Sequence, residues 1–189
     1  MIKKLLASYR KYRTYNQCLS FKEWLTDPDV LRCLFSDNVN LDGVNIFLYH
    51  DENGQPSIEL QIDDFQILII RYSKNQELRI YWTAALLFNE ETSAENDRFF
   101  VDATLCAIED INLALDYGTV YLSQENNVYV LRFALFFGFK ILNSKQEFVQ
   151  TFANLARYIT VNVSNRYQQF MNHVIESQMR QQQEFDVDS

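Results

Sequence analysis

Residues 128–142, VYVLRFALFFGFKIL, form the most apolar window of the chain, and what such a window can become narrows the fold more than any other feature. As a membrane span it is too short, since a spanning helix needs roughly 18–20 apolar residues. It also carries two cations, Arg132 and Lys140. As a strand it sorts cleanly by twos. Tyr129, Leu131, Phe133, Leu135, Phe137, Phe139 and Ile141 share one face, and Arg132 and Lys140 sit among Val128, Val130, Ala134, Phe136 and Gly138 on the other. One apolar face and one mixed face predict a sheet packed on a core. Fully extended, the run would reach roughly 50 Å, far beyond a usual strand, so it should bend or end near Gly138.

The remaining patterns supply that strand with neighbours. Val44, Ile46 and Leu48 alternate with Asn45, Phe47 and Tyr49, and the turn signal Asp51-Glu52-Asn53-Gly54 leads into Ile58, Leu60 and Ile62 alternating with Glu59, Gln61 and Asp63. Asp63-Asp64 breaks to Phe65–Tyr72, and a turn at 73–76 leads to Leu78, Ile80, Trp82 and on to Phe88. This predicts a four-stranded antiparallel meander. Residues 119–123 should form a further strand returning, through a turn at 124–127, into the apolar run.

Helices are marked by three capping boxes, Ser20 with Glu23, Thr92 with Glu95 and Ser144 with Glu147, each expected to open a helix. Thr26-Asp27-Pro28 looks like a new start, with a short helix over 28–35. Residues 93–116 place Arg98, Asp102, Glu109, Asn112 and Asp116 on one narrow stripe, so this helix should be largely buried, with Gly118 at its C-terminal end. From Ser144 to about Met179, Phe148, Phe152, Leu155, Ile159, Val163, Tyr167, Phe170 and Val174 recur at helical steps. The β-branched run at 158–163 should kink this helix. Its far end, reaching beyond a domain of this size, should meet another chain or stand free.

Composition limits the function classes. With 189 residues and 48% hydrophobic content, one domain with a sizeable core is expected. The net charge of -8 opposes sequence-independent attraction to nucleic acid or anionic lipid. The charge is uneven: residues 1–22 carry Lys3, Lys4, Arg10, Lys11, Arg13 and Lys22 without an acid. Residues 90–125 carry Glu90, Glu91, Glu95, Asp97, Asp102, Glu109, Asp110, Asp116 and Glu125 against Arg98 alone. Such a face is either merely solvated or receives a basic partner, including the chain's own N-terminus. Cys18, Cys33 and Cys106 lack metal or redox spacing and fit reduced thiols in the cytoplasm.

No reaction is written in the chain. Only four glycines are present, against the habit of phosphate-cradling loops, and no nucleophile elbow, Walker loop or dinucleotide fingerprint occurs. Asn38-x-Asn40-x-Asp42-Gly43 imitates the start of a calcium loop, but Tyr49 stands where a bidentate Glu is required. His50 and His173 form no ligand set, and Glu109-Asp110 point about 100° apart on a helix. Aromatics with Arg71 and Arg79 in strands suggest base stacking, which the acidic balance opposes. No catalytic, metal-binding or cofactor-binding residue is therefore expected.

The order helix, antiparallel strands, helix, two strands, long helix resembles the type III secretion chaperone fold, and is most similar to the YbjN family that shares it. The likeness spans about residues 40–178. It lies in Ile111-Asn112, Gly118 opening a strand, Val120-Tyr121-Leu122, Tyr129 and Arg132 on the returning strand, and Arg157-Tyr158 and Val174-Ile175 in the final helix. The resemblance implies an α+β module without catalysis, acidic and dimeric, holding an extended client segment on apolar patches.

The expected fold is thus α+β, an antiparallel sheet with helices packed on one face in the order α-ββββ-α-ββ-α. Residues 1–36 should be an N-terminal helical segment, 37–179 a single domain and 180–189 a disordered polar tail. The expected function is a cytoplasmic, non-enzymatic, protein-binding module forming a homodimer. Phe133, Phe136, Phe137 and Phe139 are the candidate partner surface, with sheet edges open to an added strand, and Tyr167, Phe170 and Val174 the candidate dimer surface. The alternative is a sensor or enzyme with a pocket between helix 93–116 and the sheet, lined by polar groups such as Asn112, Tyr121 or Arg132.

Overall fold

The computed structural model describes residues 2–35, 41–73, 77–89, 94–126, 128–137, 142 and 144–187. In chain order it contains α1 (Ile2–Leu25), α2 (Pro28–Phe35), a 3-10 turn (Leu41–Gly43), β1 (Val44–His50), β2 (Pro56–Ile62), β3 (Phe65–Tyr72) and β4 (Leu78–Asn89). There follow α3 (Ala94–Ala114), β5 (Thr119–Glu125), β6 (Val128–Phe137), α4 (Lys145–Ile159), a π turn (Thr160–Ser164) and α5 (Asn165–Val187). The fold is α+β: helices pack against a six-stranded antiparallel sheet of order β1-β2-β3-β4-β6-β5. By contact the chain divides into a first unit, Met1–Thr83 with Ala134–Arg157, and a second, Ala84–Phe133 with Tyr158–Ser189.

In the first unit the meander follows from its turns. Asp51 Oδ1 accepts the backbone N–H groups of Asn53 and Gln55 at 2.9 and 2.8 Å, and Gly54 takes a φ of 67°. Asp63 and Asp64 both adopt positive φ, 49° and 69°, as a hairpin turn matching the strand twist demands. Ile58, Leu60, Leu68, Ile70, Leu78 and Ile80 are buried, as are Phe21, Leu25, Phe148 and Phe152 of the helices. Phe148 packs on Phe21 and Phe152 at ring distances of 4.9 and 4.4 Å. Glu59, expected on a polar face, is buried as well; Gln61 and Gln66 each donate to its Oε1 at 2.6 Å.

The helix ends follow local chemistry. Pro28 opens α2, and Asp27 caps it by accepting the Asp29 N–H at 2.9 Å. A side-chain hydrogen bond from Lys145 holds the Asp27 carboxyl below its ordinary range. Ser144 caps α4, accepting the Glu147 N–H on Oγ at 3.2 Å. Ser20 opens nothing: α1 runs through it, because Thr14, Cys18, Phe21 and Leu25 bury one continuous helical face. Thr92 lies outside the described residues.

The second unit holds α3, β5, the first half of β6, the π turn and α5. Ala103, Thr104, Ala107, Ile108 and Ile111 of α3 are buried, but Leu105 and Leu113 are 50% and 84% exposed. The helix expected to be largely buried therefore has one solvent face, which carries apolar residues as well as acids. Gly118 does not cap it. With a φ of 83° it opens β5, four residues past the helix end. The β-branched run becomes the π turn, where side-chain crowding against the preceding turn disfavours a regular helix. The expected tail is helical as far as Val187.

β6 ends at Phe137, one residue before Gly138. The expected apolar and mixed faces are not distinguished by burial: Val130 through Leu135 are all buried, Arg132 included. Among the described residues no helix is long and apolar enough to cross a membrane.

Candidate functional site

The second unit contains an open cleft of about 500 Å³. Ala85, Leu86 and Leu87 of β4 form one wall, and Phe100 of α3 closes one side. The opposite wall is a helical stripe, Ser164, Tyr167, Gln168, Met171, Asn172 and Ile175, spaced i, i+3, i+4, i+7, i+8 and i+11. Eleven residues of helix make this wall roughly 16 Å long. Met171 is buried in it, while Gln168 and Asn172 stand exposed.

Two hydrogen bonds hold the walls. Ser164 Oγ, at the end of the π turn, donates to the Ala84 carbonyl at 3.0 Å and fixes that turn against β4. The Tyr167 hydroxyl lies 3.0 Å from that of Thr104, which is fully buried in α3. Burial raises the Tyr167 phenol above its ordinary range, partly offset by the Thr104 hydrogen bond. Both hydroxyls of the cleft thus have structural partners. Among the described lining residues there is no carboxylate, imidazole, thiol or cation. What remains is apolar surface with two carboxamides at the rim.

No family model, curated protein or solved structure matches this chain.

The structure scatters the residues singled out from the sequence. Phe133 is fully buried, against Tyr158 at 6.0 Å between rings, so it is core and cannot present a partner surface. Phe136 is 53% exposed, with the Arg79 guanidinium 5.2 Å from its ring centre. Phe137 is half-buried, and Phe139 lies outside the described residues. Tyr167 is a wall of the cleft; Phe170 and Val174 are half-buried and do not line it.

Two of the polar groups expected around a pocket beside α3, Asn112 and Arg132, serve the fold. Asn112 Nδ2 donates to the Val120 carbonyl at 2.9 Å, and Asn112 Oδ1 accepts the Val120 N–H at 2.7 Å. Arg132, 3% exposed, pairs with Glu125 and donates through Nε to Ser123 Oγ at 3.2 Å.

His50 stacks on Tyr15 with ring centres 5.6 Å apart, and His173 is exposed on α5. Asn38 and Asn40 of the calcium-like motif lie outside the described residues, while Asp42 and Gly43 belong to the 3-10 turn and Tyr49 to β1; among the described residues no group of His, Cys, Asp and Glu could hold a metal. Arg71 and Arg79, directly opposite across β3 and β4, lie over Tyr81 and Phe136 at 4.7 and 5.2 Å, so each guanidinium faces an aromatic ring.

The sequence offered a pocket between helix 93–116 and the sheet, and the cleft does lie against Phe100 of α3 and Ala85, Leu86 and Leu87 of β4; its α5 wall and its actual lining were not anticipated, because they come from separated segments. One signal was legible: Tyr167, Gln168, Met171, Asn172 and Ile175 share a helix face that mixes apolar and carboxamide groups.

Proposed function

We propose that this chain is a non-enzymatic, cytoplasmic protein-binding module that takes an apolar segment of another protein into the cleft along α5. The observation that carries the reading is the cleft itself: apolar, open, three helical turns long, rimmed by carboxamides and lined by no acid–base or nucleophilic pair. An amphipathic segment laid there would bury its apolar side chains on Met171, Leu87 and Phe100, while Gln168 and Asn172 bond its backbone. The element order and the acidic composition agree with the likeness to YbjN and secretion chaperones, whose members are expected to bind rather than catalyse.

Capture from native cells tests this, comparing the wild-type chain with Asn172→Glu/Ile175→Glu, two exposed substitutions that charge the cleft without touching the core. The reading expects a near-stoichiometric protein retained by the wild type and lost with the variant. An identical retained set in both would overturn it. A second reading, a small apolar ligand, is favoured by the cleft volume, which falls in the ordinary range of ligand sites. Denaturing mass spectrometry of the purified chain would then reveal a bound compound that the same variant lacks.

A further inference from the structure

The first unit holds a cavity of its own, of about 280 Å³, at one end of the β1–β4 meander. Asp51, Asn53 and Gln55 of the turn after β1 line it together with Arg71 and Ser73 at the end of β3 and Arg79 at the start of β4. Arg71 and Arg79 are direct cross-strand partners, so two cations share one face of the sheet with their Cβ atoms roughly 5 Å apart. Like charges so placed repel, and an anion between them relieves the repulsion. The chain supplies little of one. Glu77 lies 3.7 Å from Arg79 with both side chains about two-fifths exposed, and Arg71 makes no ion pair among the described residues. Asp51 pairs with neither arginine; its Oδ1 accepts the backbone N–H groups of Asn53 and Gln55.

Both guanidinium groups are held ready for an acceptor. Arg71 lies over the Tyr81 ring at 4.7 Å and Arg79 over the Phe136 ring at 5.2 Å. A guanidinium over a ring uses its face for that contact and keeps the N–H groups of its edge for hydrogen bonds. The Nε of each arginine is enclosed and has no hydrogen-bond partner. An enclosed donor without an acceptor is costly, so two of them beside one cavity call for an explanation.

From this pair we infer that the cavity binds the phosphate group of a small phosphorylated polyol. A phosphate dianion matches two cations, and its tetrahedral oxygens accept from two guanidinium forks at once. The polyol hydroxyls bond the Asp51 carboxylate and the Asn53 and Gln55 carboxamides. A cavity of about 280 Å³ stands at the small end of ligand sites, which suits a phosphate carrying a few carbons. The site shares no residue with the cleft along α5, so either can fail alone.

Calorimetric titration of the full chain with glycerol phosphate tests it, with glycerol and inorganic phosphate as comparisons. The wild type should bind one equivalent of glycerol phosphate, inorganic phosphate several-fold more weakly, and glycerol not at all. Arg71→Gln should weaken binding by about tenfold or more, and Arg71→Lys, which keeps the charge without the fork, by less. Glu77→Gln, which releases Arg79, should strengthen it by roughly two- to threefold. Arg32→Gln, at an exposed cation of α2, should change nothing. Circular dichroism should show each variant folded, and if Arg71→Gln is not, Arg79→Lys and Glu77→Gln carry the test with the same signs of change, weaker and stronger. Absence of saturable binding, or binding unchanged in these variants, would overturn the proposal. So would inorganic phosphate binding as tightly as glycerol phosphate, which leaves an adventitious ion only.

Discussion

Asn112 bonds the backbone of Val120 twice, receiving its N–H at 2.7 Å and donating to its carbonyl at 2.9 Å. A side chain near the end of α3 thus replaces the missing strand neighbour for one residue of the edge strand β5. Asn112→Leu removes both bonds and leaves two backbone groups to find water or none. Each net bond contributes about 1 kcal/mol and stranded groups cost more, so a loss of roughly 2–4 kcal/mol is expected in urea unfolding. Hydrogen exchange at the Val120 amide should accelerate selectively. Unchanged exchange there would mean the clamp is not formed in solution.

Phe133 and Phe136 lie three residues apart on one strand, with opposite fates. Phe133→Ala empties a fully buried site and should cost about 3–5 kcal/mol. Phe136 is 53% exposed, and Phe136→Ala should cost about 1 kcal/mol or less. Similar losses for both would refute the placement of β6.

Cys18 makes stability sensitive to alkaline pH. Burial pushes its thiol from an ordinary value near 9 up to about 12, because the thiolate cannot be solvated there. The neutral thiol's contribution is fully present below about pH 9 and is lost as pH climbs toward 12. The slope approaches about 1.4 kcal/mol per pH unit. Tyr72 is raised too, first by burial and then by the neighbouring Cys18, and adds to the loss above pH 10. Urea midpoints should therefore fall from pH 9 upward, and Cys18→Ala should flatten the fall between 9 and 10.

The same burial separates the three thiols by reactivity. Cys33 and Cys106 are exposed and Cys18 is enclosed. A disulfide reagent should modify the first two quickly in the native chain and Cys18 only on unfolding. Fast labelling of all three would contradict the packing of α1.

Local chemistry made much of this fold legible. Paired aspartates at 63–64, Pro28 after Asp27, and Ser144 three residues before Glu147 each act through neighbours in sequence, and each sits where its chemistry placed it. Ser20 had the same signature, yet the burial of Cys18 and Phe21 on either side carried the helix through. Faces were harder to assign. Alternation along β6 implied one covered side, whereas Val130–Leu135 are covered on both, which no strand can announce about its neighbours. The cleft was least legible, because Ala85, Phe100 and Met171 converge only once the chain has folded.

The most direct test of a partner segment in the cleft is photo-crosslinking in the native cell, with a benzophenone amino acid at position 172 on the rim and, as a control, at exposed position 154 on α4. The account predicts one discrete protein adduct from position 172 alone, with the crosslinked residues falling in a single amphipathic segment. No adduct at 172, or the same adducts from both positions, would contradict it.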